Sequence, residues 1–398
     1  MAHFALLQSE RKLIKTSAQQ EVWCPQRGLA RGPWIRGAPL PLPVWAHYES
    51  PTLTCDTVEQ YEELASSVEL ETQRLLRELR YDTCDNVLRL YRDFKENGEP
   101  SNLEHYYRKY QPRIVAERHT CVGLGFELLR RVQCLDQRFP GLAEALYLVS
   151  CEETIGDVAG YVGGPPAADS GEKEHILVCL KIEIAGRRGV MLLDPGYHIA
   201  RVITVMHDKA YPNTGWFTQT DDQDGKTEYH YTLCSTDNDY VEWHERKTRR
   251  STSALNNPSN QVALIYVARP YLTAIDVTER RNLVYNFRSL LARDFKGHLV
   301  AGIYFKVTSD QPLFNIFHQT IRGKKRAKIS FSKFQDLTKI ELDNDEAEII
   351  TECARQMNIP LQDFEGLLSA LAKMLHDSAF VKQLFAINAK INTLAKDN

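Results

Sequence analysis

Between positions 57 and 80 the apolar residues fall at Val58, Tyr61, Leu64, Ala65, Val68, Leu75, Leu76 and Leu79. Steps of three and four with a polar opposite face predict an amphipathic helix. A second helix is predicted over 84–96, stopped by Asn97-Gly98 ahead of Pro100, and a third over 121–135, with Val122, Leu124, Leu128, Leu129 and Val132 on its apolar side. The pattern then changes to short runs of Val, Ile, Leu and Tyr bounded by Gly, Pro and Asn-Asp clusters. These predict strands at 145–151, 176–184, 190–193, 229–234, 261–267 and 299–307. Residues 160–174 read as a glycine-proline loop and 245–260 as a polar one. Past 333 three helices are predicted, roughly 344–357, 361–376 and 379–395. The last carries Phe380, Leu384, Phe385 and Ile391 on one face, for a core or a dimer surface. Helices, then a mostly antiparallel sheet, then helices give an α+β class.

The first 50 residues differ from the rest. Pro25, Pro33, Pro39, Pro41 and Pro43 exclude a regular helix, and Pro39–Pro43 favours polyproline II. Trp23, Trp34 and Trp45 predict that this arm packs on the body. The organisation is therefore an extended arm (1–50), a helical subdomain (51–140), a β-rich subdomain (141–330) and a C-terminal helical region (331–398).

Composition narrows the classes. The 398 residues carry 49 Lys+Arg against 52 Asp+Glu, a net charge of −3. That balance argues against a nucleic-acid coat, which needs a basic surface. No apolar run approaches the ~18 residues that span a bilayer. The nine cysteines are odd in number and irregularly spaced, without a CxxC pair, which fits neither a disulfide framework nor a zinc ribbon. The N-terminus lacks the apolar core and small-residue cleavage site of a secretory signal, so a reduced cytoplasm is expected.

One constellation carries chemistry. Thr120 is a competent N-cap and puts Cys121 in the first turn of the third helix. The helix start favours a thiolate by only ~0.3–1 kcal/mol, so a working nucleophile needs an imidazole as well. His119 is adjacent in sequence and its side chain diverges. The better partner is His175, at the head of the segment EHILVCLKIEIAGRRGVMLLDPGYH. If Ala185-Gly186 is a two-residue turn, Ile184 faces Arg187 and Asp194 lies opposite Leu177, diagonal to His175 and on its face. A four-residue turn would separate His175 from Asp194 by roughly 20 Å. Each of the three alone reads as an ordinary core or surface residue; in this order they predict a Cys-His-Asp triad, with Cys121 as nucleophile, His175 as base and Asp194 as orienting carboxylate.

A cysteine opening a helix, a histidine beginning His-Ile-Leu-Val and an Asp closing Leu-Leu-Asp-Pro-Gly resemble the arylamine N-acetyltransferase family over about 55–330. Arg118-His119-Thr120 stands where that family has Arg-Gly-Gly, Gly123 where it has Glu, and Pro195-Gly196-Tyr197 where it has a Gly-Phe-Gly-like end. The Asp-Pro step is equally similar to transglutaminase-like cysteine proteases. The resemblance implies a papain-like core with a central antiparallel β-barrel. It also implies a thioester intermediate, acetyl-CoA or another acyl-CoA as donor, and a small amine or a peptide as acceptor. Arg322, Lys324, Lys325 and Arg326, in a loop after a strand, could clasp the donor's phosphates. A hydrolase, or a binding module that has lost the activity, remains open. An acyltransferase predicts a cleft beside Cys121; a binding module predicts that His175 does not reach the thiol. Arg246, Lys247, Arg249 and Arg250 form a second basic cluster. Cys179 shares His175's face without a third ligand, and His198 and His207 lack partners at metal spacing, so no metal site is expected.

Overall fold

Ala185 and Gly186 both take left-handed backbone, φ 47° and 78°, which a two-residue hairpin turn of this hand requires. The turn joins β4 (His175–Ile184) to β5 (Arg187–Leu193) with Ile184 opposite Arg187 and Val178 opposite Leu193, the register expected from the sequence. The computed structural model describes residues 30–97, 102–115, 118–163, 171–222, 225–250, 258–308, 312–336, 338 and 340–394. The first 29 residues of the arm, the stop at Gly98-Pro100 and the loop tip 164–170 lie outside them.

The protein is α+β. Its first sheet has nine strands. Eight run in the order β6-β5-β4-β3-β10-β9-β8-β7, all antiparallel, and β1 (Leu53–Cys55) pairs with β4 in parallel. The others are β3 (Leu146–Glu152), β6 (Ile203–Met206), β7 (Phe217–Asp222), β8 (Gly225–Leu233), β9 (Tyr240–Arg249) and β10 (Ser259–Tyr266). The sheet curls around Tyr147, Leu177, Cys179, Tyr229, Tyr231, Val241, Trp243 and Ile265, while α1 (Val58–Glu78) and α4 (Cys121–Gln133) cover its other face. Among the described residues it ends at β6 and β7 without pairing them, so it is a half-barrel and not the closed barrel expected. The predicted polar loop 245–260 is corrected as well: β9 continues to Arg249, its charges held in pairs such as Arg246–Glu228 and Lys247–Glu245.

A second sheet, order β14-β13-β12-β11-β2, joins β2 (Tyr81–Asp82) to β11 (Phe287–Arg293), β12 (Leu299–Lys306), β13 (Leu313–Thr320) and β14 (Gly323–Ser330). Its core is shared with α2 (Cys84–Glu96), α3 (Leu103–Lys109), and the C-terminal helices Asn344–Gln356, Leu361–His376 and Ser378–Ile391. Phe380, Leu384 and Ile391 are buried there. The C-terminal helices are thus part of one packing unit with residues 287–330, because neither the sheet face nor the helices could bury their apolar side alone. Residues 30–50 of the arm pack on the body: Trp45 bridges to Tyr271, its indole N–H donates to Ser150 at 3.2 Å, and Trp34 lies under Arg108 and Arg280.

A candidate thiol site at the seam of two sheets

The nucleophile's approach belongs to the second sheet. Asp82 of β2 receives the Cys84 and Asp85 N–H groups on its carboxylate, and its own N–H donates to the His119 carbonyl at 2.7 Å. Thr120 follows as N-cap, its hydroxyl accepting the Val122 N–H at 3.2 Å and donating to the buried Glu279 carboxylate. Cys121 is therefore the first helical residue, as its sequence predicts. The base and the orienting carboxylate belong to the first sheet. His175 opens β4, and Asp194 follows β5 on the face that carries Leu177, Cys179 and Leu192.

The three side chains meet. His175 Nε2–H donates to Asp194 Oδ1 at 2.9 Å, and the Tyr197 N–H donates to the same oxygen at 2.9 Å. That leaves the other ring nitrogen for the thiol. Gly196 marks how close the pair is: a Cβ there would lie 2.6 Å from His175 Cε1 and 2.7 Å from Cys121 Cβ. Burial opposes a charge on His175, but the Asp194 carboxylate and the Cys121 thiol outweigh it and hold the imidazole well above its ordinary value. Tyr197 packs edge-on against the imidazole at 4.8 Å and Trp243 against Tyr197 at 4.5 Å, so the ring has little freedom to swing.

Gly123 and His119 sit against each other. A Cβ at position 123 would run into the His119 imidazole, so His119 fills the space a residue-123 side chain would need. Burial pushes His119 down to about 4 and keeps it neutral at pH 7.

The thiol opens into a cavity of about 610 Å³, within the range of small-molecule sites. Glu153, Glu172, Glu174, Arg281, Asn282 and Arg288 are among the residues that line it. A second cavity of about 670 Å³ shares Phe287, Ser289 and Leu291 with the first. Here the predicted basic cluster divides. Lys324 and Arg326 line this second cavity, whereas Lys325 turns to Glu348 and Arg322 sits at the exposed hairpin tip. The residues belong to strand β14 and its turn and not to a loop, so alternate side chains face opposite ways. Cys179 packs against Tyr147, and no cluster that could hold a metal ion is found among the described residues.

No motif in the sequence singles out 273–293, yet this segment touches every part of the site. A π-helical stretch, Ala274–Glu279, runs into the short helix Arg280–Val284. Thr278 donates to the Lys173 carbonyl at 2.7 Å, Glu279 receives Thr120, Arg281 pairs with Glu172, and Asn282 Nδ2 donates to Cys121 Sγ at 3.5 Å. Arg288 Nη1 holds the Asn282 carbonyl at 2.6 Å. Arg293 reaches the Leu76, Leu79 and Pro195 carbonyls and His198 Nδ1. The visible signal was Glu-Arg-Arg-Asn, a charged run that reads as solvated surface. No helix among the described residues is long and apolar enough to cross a membrane. Compared with known proteins, the chain matches no family model, no curated protein and no solved structure.

Proposed function

We propose that this protein is an acyltransferase that carries the acyl group as a thioester on Cys121 and passes it to an amine. The observation that carries the reading is the buried row Cys121–His175–Asp194 opening into a cavity of ligand size. The resemblance to arylamine N-acetyltransferases supplies the acceptor class.

His175 takes the Sγ proton, and the thiolate attacks the donor's carbonyl carbon. A new C–S bond forms, the donor's C–S bond breaks, and the leaving thiolate takes the proton back from the imidazolium. An amine then attacks the Cys121 thioester while His175 accepts one of its N–H protons. The amide leaves and Sγ returns as the thiolate. Asp194 holds the ring and stabilises its charged form. Asn282 Nδ2 and the unbonded N–H groups at the start of α4 are the donors that would meet negative charge on the carbonyl oxygen. Acyl-CoA is the donor the resemblance implies, and Lys324 and Arg326 are the two cations that would meet its phosphates. Asp221, Asp222 and Asp294 line the same cavity and weaken that field. The same reading puts the protein in the reduced cytoplasm, where a working thiol is maintained.

The test is a stopped-flow burst with p-nitrophenyl acetate. One equivalent of p-nitrophenol per chain is expected, with acetyl found on Cys121 by mass spectrometry. Cys121→Ser abolishes the burst and His175→Gln slows it by about 100-fold or more. No burst, or a burst that survives Cys121→Ser, overturns the proposal. A full burst followed by fast turnover that added amines do not intercept assigns the protein to the hydrolases instead.

A further inference from the structure

The acceptor side of the cavity is electrostatically unlike a pocket for a neutral aromatic amine. Four consecutive or near-consecutive carboxylates come together there, and they differ in how they are balanced. Glu152 is paired with Lys173 at 2.6 Å and Glu172 with Arg281. Glu153 and Glu174 have no Lys or Arg partner among the described residues. Glu153 accepts the Tyr197 hydroxyl, and Glu174 accepts the Glu153 N–H at 3.2 Å and its own backbone N–H. Both line the reaction cavity, and the Glu174 main-chain carbonyl is 4.0 Å from Cys121 Sγ. Two carboxylates without a Lys or Arg partner among the described residues thus line the cavity into which the thiol opens.

A separate observation points to a ligand. Beyond Glu153 lies a side cavity of about 170 Å³ that shares Glu153, Thr154 and Tyr197 with the main one and adds Trp243 and Glu245. Trp243 is 4% exposed, and its indole N–H has no hydrogen-bond partner among the described residues. A buried donor without a partner is costly, and an acceptor brought by a ligand, such as the face of an aromatic tail, would engage it. Ring faces beside carboxylates are also the surroundings that favour an organic cation.

We infer that the acceptor is a primary aliphatic amine that enters as its ammonium ion, held by Glu153 and Glu174, with its tail directed to the side cavity lined by Tyr197 and Trp243. The inference rests on the acyltransfer reading and names the substrate class of that site. An ammonium nitrogen cannot attack, so one proton must leave first. Glu174 takes it, becoming a neutral carboxylic acid, and the freed lone pair attacks the thioester carbon. The C–N bond forms, His175 takes a second N–H proton, and the C–S bond breaks to return the Cys121 thiolate. Glu174 then releases its proton to water. Burial and the charges of Glu152, Glu153 and Glu172 push Glu174 up, which suits a carboxylate that must hold a proton transiently.

The experiment uses the full chain, p-nitrophenyl acetate as donor, and two acceptors with the same phenyl body: phenethylamine, cationic at neutral pH, and aniline, neutral there. The readout is the ratio of their kcat/KM values for amide formation. The ratio is expected to favour phenethylamine and to fall by about tenfold or more in Glu174→Gln, the loss of one charge-assisted hydrogen bond. Glu153→Gln, made independently, lowers it in the same sense, and Glu174→Asp restores part of it. A wild-type preference for aniline, or a ratio that neither glutamine variant moves, overturns the inference. The p-nitrophenol burst of the wild type is measured before any acceptor is added. A missing burst therefore overturns the acyltransfer reading, whereas a normal burst without amine discrimination overturns this inference alone.

Discussion

Gly196 gives the sharpest handle on whether Cys121 and His175 must touch. Its backbone lies outside the left-handed region, so alanine costs nothing in φ and the penalty is purely steric. The added methyl would sit 2.6 Å from His175 Cε1 and 2.7 Å from Cys121 Cβ, where carbon atoms ordinarily keep about 3.5–4.0 Å. About 1 Å must be found somewhere. Cys121 Cβ cannot supply it easily, because the Thr120 cap and the Leu124 N–H to Thr120 carbonyl bond, 3.0 Å, fix the first turn. His175 is held by Asp194, and the loop is held by the Tyr197 N–H and by Arg293 on the Pro195 carbonyl. Of these the Arg293 bond is the longest, at 3.5 Å, so the loop and the imidazole share the displacement. An error of that size at the reacting atoms costs about 100-fold in rate, and the overpacking costs about 1–3 kcal/mol of stability. Gly196→Ala should therefore stay folded by urea titration while its p-nitrophenyl acetate burst and its iodoacetamide alkylation both slow sharply. A folded Gly196→Ala variant that acylates at the wild-type rate would refute the claim that the imidazole works from this position.

Two further outcomes follow from the same geometry. His119 is pushed down to about 4 from an unfolded value near 6.5, so its contribution to stability is complete above pH 6.5 and is lost as the pH falls toward 4. Urea midpoints measured across that window should show His119→Phe losing about 3 kcal/mol less than the wild type, and parallel profiles would show that His119 does not titrate in a buried state. Asn282→Ala should lower acyl transfer by about 100-fold, the cost of one oxyanion donor, yet change iodoacetamide alkylation by less than about threefold, since alkylation forms no oxyanion. Equal losses in the two reactions would assign Asn282 to positioning the thiol instead.

What the sequence could show depended on how local the controlling interaction was. The α4 cap needs only Thr120 and the residues after it, and the β4–β5 register needs only the Ala185-Gly186 turn. The meeting of His175 with Asp194 follows from that register, so two thirds of the candidate triad was legible within one hairpin. The second sheet was not. Of its five strands only β12 reads as an apolar run. Gly323–Ser330 is dominated by lysine and arginine because it is an outer strand, and its cations find partners across elements, as Lys325 does with Glu348. Likewise β9 looks polar because its outer face is a row of ion pairs with β8 and within itself. Nor could the sequence show that the C-terminal helices share a core with residues 287–330, since that packing joins segments far apart in the chain.

The least legible residues, Arg288 and Arg293, explain how a site assembled from two sheets holds together. Both are buried on β11, and neither forms an ion pair among the described residues. Arg288 instead gathers the Thr83, Asn282 and Leu283 carbonyls, and Arg293 gathers the last carbonyls of α1 and the Pro195 carbonyl beside Gly196. One strand thus fixes Asn282 against the thiol and the Pro195-Gly196 turn against the imidazole. Burial lowers the two guanidinium groups to about 10 and about 9, which still leaves both charged at neutral pH. Of the two, Arg288 lines the cavity and lies near the buried Glu279, whose negative charge it partly offsets. Paired individually, they would cancel one carboxylate each and leave the carbonyls unsatisfied. Spread over carbonyls, they brace the backbone around the thiol.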